Sequence, residues 1–80
     1  MENYTVYTKP NCHSCEQMKE LITEAGRTYS AINMMELPQE EIQVLRNWAR
    51  SVQQMSMPIV KTSDGEFITN YTLEKALREE

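Results

Sequence analysis

Apolar and polar residues repeat with two different periods along the chain, and the switches between them divide it into seven segments. Tyr4 to Thr8 (YTVYT) is dense in β-branched and aromatic residues, the signature of a strand. Lys9-Pro10-Asn11 interrupts it. From Cys12 to Ala25 the apolar positions fall at Cys15, Met18, Ile22 and Ala25, with Leu21 beside them, which is helical spacing. Gly26 follows as the expected C-cap. Thr28 to Asn33 (TYSAIN) predicts a second short strand. Pro38 suits the first turn of a second helix, and Glu40 and Glu41 suit its positive end. The apolar face of that helix is Ile42, Leu45, Ala49 and Val52, with Trp48 alongside.

Met57 to Thr62 (MPIVKT) predicts a third strand that opens with a proline, a position where the missing N–H does no harm. Asp64-Gly65 is a hairpin turn signal, and Glu66 to Thr69 is the returning strand. Thr72 is the expected cap of a last helix with Leu73, Ala76 and Leu77 on its apolar side. The order β-α-β-α-β-β-α makes this an α/β chain. Its first half is one βαβ unit with parallel strands and a right-handed crossover. The last two strands form an antiparallel hairpin, so a four-stranded mixed sheet with three helices on its two faces is the economical packing.

Composition narrows the class. Residues 1–80 are read as a single domain, 40% apolar and 25% charged, an ordinary globular balance. The formal net charge of −4 argues against a nucleic-acid or anionic-membrane partner. No apolar run approaches the roughly 18 residues of a membrane span. The opening MENYTVYTK lacks the pattern of a secretory signal, so a cytoplasmic setting with reduced thiols is expected. In that setting a close cysteine pair reads as catalytic, redox-sensing or metal-binding.

Both cysteines of the chain lie in NCHSC, two residues apart, where the first strand gives way to the first helix. Residues three apart on a helix share a face with Cβ atoms about 5–6 Å apart, and a disulfide spans Cα separations of about 4.4–6.8 Å. Cys12 and Cys15 can therefore pair and part with little backbone change. Their loop is too short for the bridge to constrain much of the unfolded chain, which weakens a structural role. Cys12, at or just before the first helical turn, faces free backbone N–H groups and the positive end of the helix, and Lys9 adds a cation. Both favour the thiolate, the nucleophilic form. Cys15 lies one turn deeper, on the apolar face with Met18 and Ile22, and is expected to act second. His13 either faces solvent or, when protonated, adds to the positive field at Cys12. Tyr7 is read either as packing or as part of the site. Trp48 and the methionines are read as core or groove wall.

A strand ending in YTKPNC-x-x-C, a helix, and a later S-M-P-I-V resemble the glutaredoxin branch of the thioredoxin fold over nearly the whole chain. The resemblance implies sheet order 2-1-3-4 and a dithiol-disulfide oxidoreductase. It makes Cys12 the attacking thiol, Cys15 the resolving thiol and Pro58 a cis-proline. Lys9 and Met57 match the lysine and the pre-proline residue that help hold glutathione in that family, so glutathione is the expected reductant or co-substrate. His13-Ser14 stand where the family usually has Pro-Tyr. Thr69, Asn70, Tyr71 and Thr72 stand where it usually has a glycine pair and an acidic residue. Of these, His13, Ser14, Thr69, Asn70 and Tyr71 join Lys9, Tyr7, Met57 and Pro58 in the candidate substrate site.

The chain is also similar to the small glutaredoxin-like redoxins that reduce ribonucleotide reductase and are recharged by thioredoxin reductase. Both therefore enter as expected partners of a monomer with no tightly bound cofactor. The rival readings are a thioredoxin-fold binding module without turnover, and a zinc or iron–sulfur site bridging a dimer.

Overall fold

The computed structural model describes residues 3–79, so the ends of the 1–80 span lie outside it. The elements run β1 (Asn3–Thr8), α1 (His13–Glu24), β2 (Thr28–Asn33), a 3-10 turn (Met34–Glu36), α2 (Gln39–Ser51), β3 (Ile59–Lys61), β4 (Phe67–Ile68) and α3 (Asn70–Arg78). The sheet order is β2-β1-β3-β4. β1 lies parallel to β2, with Val6 opposite Ala31, and antiparallel to β3, with Val6 opposite Val60. β3 and β4 form the antiparallel hairpin, with Val60 opposite Ile68. The α/β reading, the mixed sheet and its 2-1-3-4 order are all present.

The period of two along the central strands sorts the core into two layers. Tyr4 and Val6 of β1 and Val60 of β3 meet Met18 and Ile22 of α1 and Leu73 and Leu77 of α3. On the opposite face, Tyr7 and Ile59 meet Met34 of the 3-10 turn and Ile42 and Leu45 of α2. Val6, Ile22, Val60 and Leu73 have no solvent exposure, so the anchor of the whole fold is where β1 and β3 are covered by α1 and α3.

Several boundaries differ from the sequence reading, each for a local reason. β3 begins at Ile59 rather than Met57, because Pro58 has no N–H to offer a ladder and pairing starts where Ile59 meets Tyr7. β4 is only Phe67–Ile68: the Glu66 carbonyl closes the hairpin by accepting from the Thr62 N–H at 2.7 Å. Asp64-Gly65 does make that turn, and Gly65 takes the left-handed φ of 90° that a Cβ would disfavour. The cap of α3 is Thr69, not Thr72; its hydroxyl accepts from the Thr72 N–H at 3.2 Å, so Thr72 supplies the orphan donor instead.

Pro38 is the N-cap of α2, one place outside the first turn. α1 closes at Ala25 and Gly26 is the residue just beyond, its φ of 77° letting the Gly26 and Arg27 N–H groups turn back on Thr23 and Ile22. α2 ends in the same way with Gln53 at φ 57°, its N–H on Arg50 and that of Gln54 on Ala49. Val52 thereby falls off the apolar face and is exposed, as is Ala76 in α3.

Candidate functional site

The cysteine loop is built by the chain's need to leave a central strand and enter a helix within a few residues. Asn11 takes a left-handed φ of 57°, which asparagine tolerates better than most residues. Cys12 follows in extended backbone (φ −106°, ψ 100°) as the N-cap of α1, so it stands just before the first helical turn and the helix starts at His13. Its sulfur takes the place of the usual capping oxygen and accepts the Cys15 N–H at 3.1 Å. One of the four orphan donors of the helix therefore points at this sulfur, where the helix dipole is positive.

Cys12 and Cys15 are joined as a disulfide across a Cα separation of 5.3 Å. The two sulfurs differ in access: Cys12 is half-buried, whereas Cys15 is 2% exposed beneath it. Ser14 stands between this pair and the loop before β3. Its hydroxyl donates to the Met57 carbonyl at 2.6 Å and lies 3.5 Å from the Cys12 sulfur. The Met57–Pro58 peptide bond is cis, and Pro58 is buried against this loop.

Gln54 was not singled out by sequence reasoning, yet it holds two parts of the site together. Its amide NH₂ donates to the Pro58 carbonyl at 3.2 Å, and its amide oxygen accepts the Asn70 N–H at 2.7 Å. The left-handed turn at Gln53 carries Gln54 off the end of α2. A polar residue in a loop gives no sequence signal for such a bridge.

The expected site residues fall into three groups. Lys9, Cys12, His13 and Cys15 line one shallow cleft over the disulfide. Ser14, Met57, Pro58 and Asn70 line a second groove of about 480 Å³ between α1 and α3. Asn70 Oδ1 is buried there with no hydrogen-bond partner. Three residues do not join either group. Tyr7 is a core residue, its ring packed among Met34, Ile42, Leu45 and Ile59, because its position on β1 turns it to the α2 face. Thr69 spends its hydroxyl on the helix cap and on Thr72. Tyr71 is 77% exposed and lines neither groove, because it follows Asn70 on the outer side of α3.

Among the described residues no cluster of three or more His, Cys, Asp or Glu side chains could hold a metal ion, and no helix is long and apolar enough to cross a membrane.

A sheet of order 2-1-3-4, with a cysteine pair at the mouth of α1 facing a cis-proline loop, defines a dithiol protein of the thioredoxin-like fold. A search of family models matches residues 4–68 to Glutaredoxin, and the chain belongs to the glutaredoxin family. The fold is similar to the crystal structure of a glutaredoxin from Archaeoglobus fulgidus, with a TM-score of 0.57 and 21% identity over 98% of this chain and 88% of that one. Among curated proteins, the gene 56 protein of Mycobacterium phage L5 is 31% identical over 67 residues. That match takes in 84% of this chain but 61% of the phage protein, so the chain spans about three fifths of that relative's length. Family and cysteine pair together support thiol-disulfide oxidoreductase chemistry.

Proposed function

We propose that this protein reduces disulfides in other proteins by dithiol exchange, with Cys12 attacking and Cys15 resolving. One observation carries the assignment: the more accessible sulfur, that of Cys12, receives a backbone N–H at a helix N-terminus, while its partner is buried behind it. Once the pair is reduced, the Cys12 thiolate is stabilised where charge is most welcome, and the thiolate is the reactive form. It attacks one sulfur of the target disulfide; the other target sulfur leaves as a thiol after protonation. Cys15, as thiolate, then attacks Cys12, expels the second target sulfur and leaves the Cys12–Cys15 disulfide. Two electrons have passed to the target, and two external thiols restore the pair.

Glutathione is the reductant that family membership supports. The groove lined by Ser14, Met57, Pro58 and Asn70 has a volume within the range of small-molecule sites. Met57 offers main-chain groups to an extended peptide beside the cysteines. Lys9, His13 and Ser14 complete the contacts. The target we assign is a cytoplasmic protein with a reversible disulfide, ribonucleotide reductase being the foremost candidate.

A recharge assay tests the scheme. The oxidised protein is incubated with NADPH and either glutathione plus glutathione reductase, or thioredoxin reductase, and free thiols are counted. Recovery of two thiols with the glutathione system is expected. Recovery with thioredoxin reductase alone would move the protein to the other electron source, and recovery with neither would overturn the proposal.

A further inference from the structure

We propose that a basic, methionine-lined trough beside the cysteine pair docks an acidic, apolar segment of the disulfide-bearing target protein. This rests on the oxidoreductase reading and adds the chemistry of its partner. The trough leaves the cysteine loop at Lys9, passes Met57 and Met35, crosses Met55 and ends at Arg46 and Arg50. Met34, Met35, Met55 and Met57 line it, four of the six methionines in the chain. Met55 is 97% exposed and Met35 more than half exposed; of the five exposed large apolar side chains among the described residues, which also include Val44, Val52 and Tyr71, these two lie together on the trough. Methionine is flexible and polarisable, so a surface rich in it adapts to varied apolar partners.

Charge identifies the occupant. The chain carries twelve Asp and Glu residues, yet none lines this trough. Lys9, Arg46 and Arg50 do, and among the described residues none of the three enters an ion pair. The groove on the other side of Met57 is the opposite: Glu20, Glu24 and Glu74 line it, with Arg78 tied to Glu74 at 3.0 Å. In a chain of net charge −4 this path is lined by basic side chains with no acidic one among them, and it leads to Cys12, because Lys9 lines both the trough and the cleft over the disulfide. A target segment bearing Asp or Glu among apolar residues would be steered there with its cysteines presented at Cys12.

Two measurements test docking and chemistry separately. The first is fluorescence anisotropy of labelled, cysteine-free peptides of equal length, one mixing leucine with Asp and Glu, the other mixing leucine with Lys and Arg. The acidic peptide is expected to bind about tenfold more tightly at low salt, with the advantage lost in about 0.5 M salt. Arg50→Glu should remove that preference, and Met55→Ser should weaken binding of the acidic peptide several-fold while leaving its salt dependence intact. The second is reduction of hydroxyethyl disulfide, which both variants should perform at the wild-type rate. Equal binding of the two peptides, an Arg50→Glu variant that still prefers the acidic one, or concentration-dependent dimerisation in sedimentation that competes with the peptide would overturn the docking proposal. Failure to reduce hydroxyethyl disulfide would instead overturn the oxidoreductase reading, with the anisotropy result still deciding the trough.

Discussion

Replacing Ser14 by alanine removes a hydroxyl placed between two acceptors. In the disulfide form its one proton goes to the Met57 carbonyl at 2.6 Å, with the Cys12 sulfur at 3.5 Å. After reduction the Cys12 thiolate becomes the stronger acceptor, and rotation of the hydroxyl about the Ser14 Cβ–Oγ bond, with the oxygen staying in place, is enough to turn the proton towards it. A hydrogen bond to a charged group is worth about 1.5–3 kcal/mol. Cys12 is half-buried and partly solvated, so the lower end applies. At about 1.4 kcal/mol per tenfold change in an ionisation constant, Ser14→Ala should raise the pH midpoint of Cys12 alkylation by about one unit. The Cys15 N–H, at 3.1 Å, stays in place in the variant, so the thiolate is weakened rather than lost.

The assay is iodoacetamide modification of the reduced protein across pH, with thiolate absorbance near 240 nm as a second reading. At neutral pH the variant should react several-fold more slowly, and Ser14→Thr should restore most of the rate. Lost packing or a looser Met57 loop would change stability or substrate affinity without moving this midpoint. A midpoint in Ser14→Ala equal to that of the wild type would therefore refute the proton-switch reasoning.

Other expectations follow from the same geometry. Cys12→Ser should abolish disulfide reduction, whereas Cys15→Ser should still attack and accumulate mixed disulfides visible by mass spectrometry; equal loss in both against every substrate would contradict the division of labour. Gln54→Leu removes the partners of the Pro58 carbonyl and the Asn70 N–H together; it should lower the melting temperature by several degrees and raise KM more than it lowers kcat. Ile22→Ala empties a site with no solvent exposure and should cost about 2–5 kcal/mol, read by denaturant unfolding; a loss under about 1 kcal/mol would mean that the α1 layer repacks freely.

The main architecture was legible in the sequence because it rests on local periodicity. The bounds of β2 matched residue for residue, and the apolar spacing of α1 placed Cys15, Met18 and Ile22 inward, as found. Capping was legible in type but not in position: Thr69 and Thr72 are both capping residue types, and the fold puts Thr69 outside the first turn, where its hydroxyl accepts the Thr72 N–H. The short β3 and β4 were overestimated because a propensity run cannot report where ladder partners end.

The sequence by itself determined the cysteine pair at a helix start, the order of elements and the alternation that gives β1 and β3 two buried faces. Those follow from spacing between neighbours, which is written directly in the chain. Only the tertiary structure decided that Tyr7 belongs to the core, that Ser14 reaches Met57 across 43 positions, that Gln54 ties Pro58 to Asn70, and that Lys9 shares one trough with Arg46. Each is a contact between distant segments, fixed by which face of a strand or end of a helix the fold turns together.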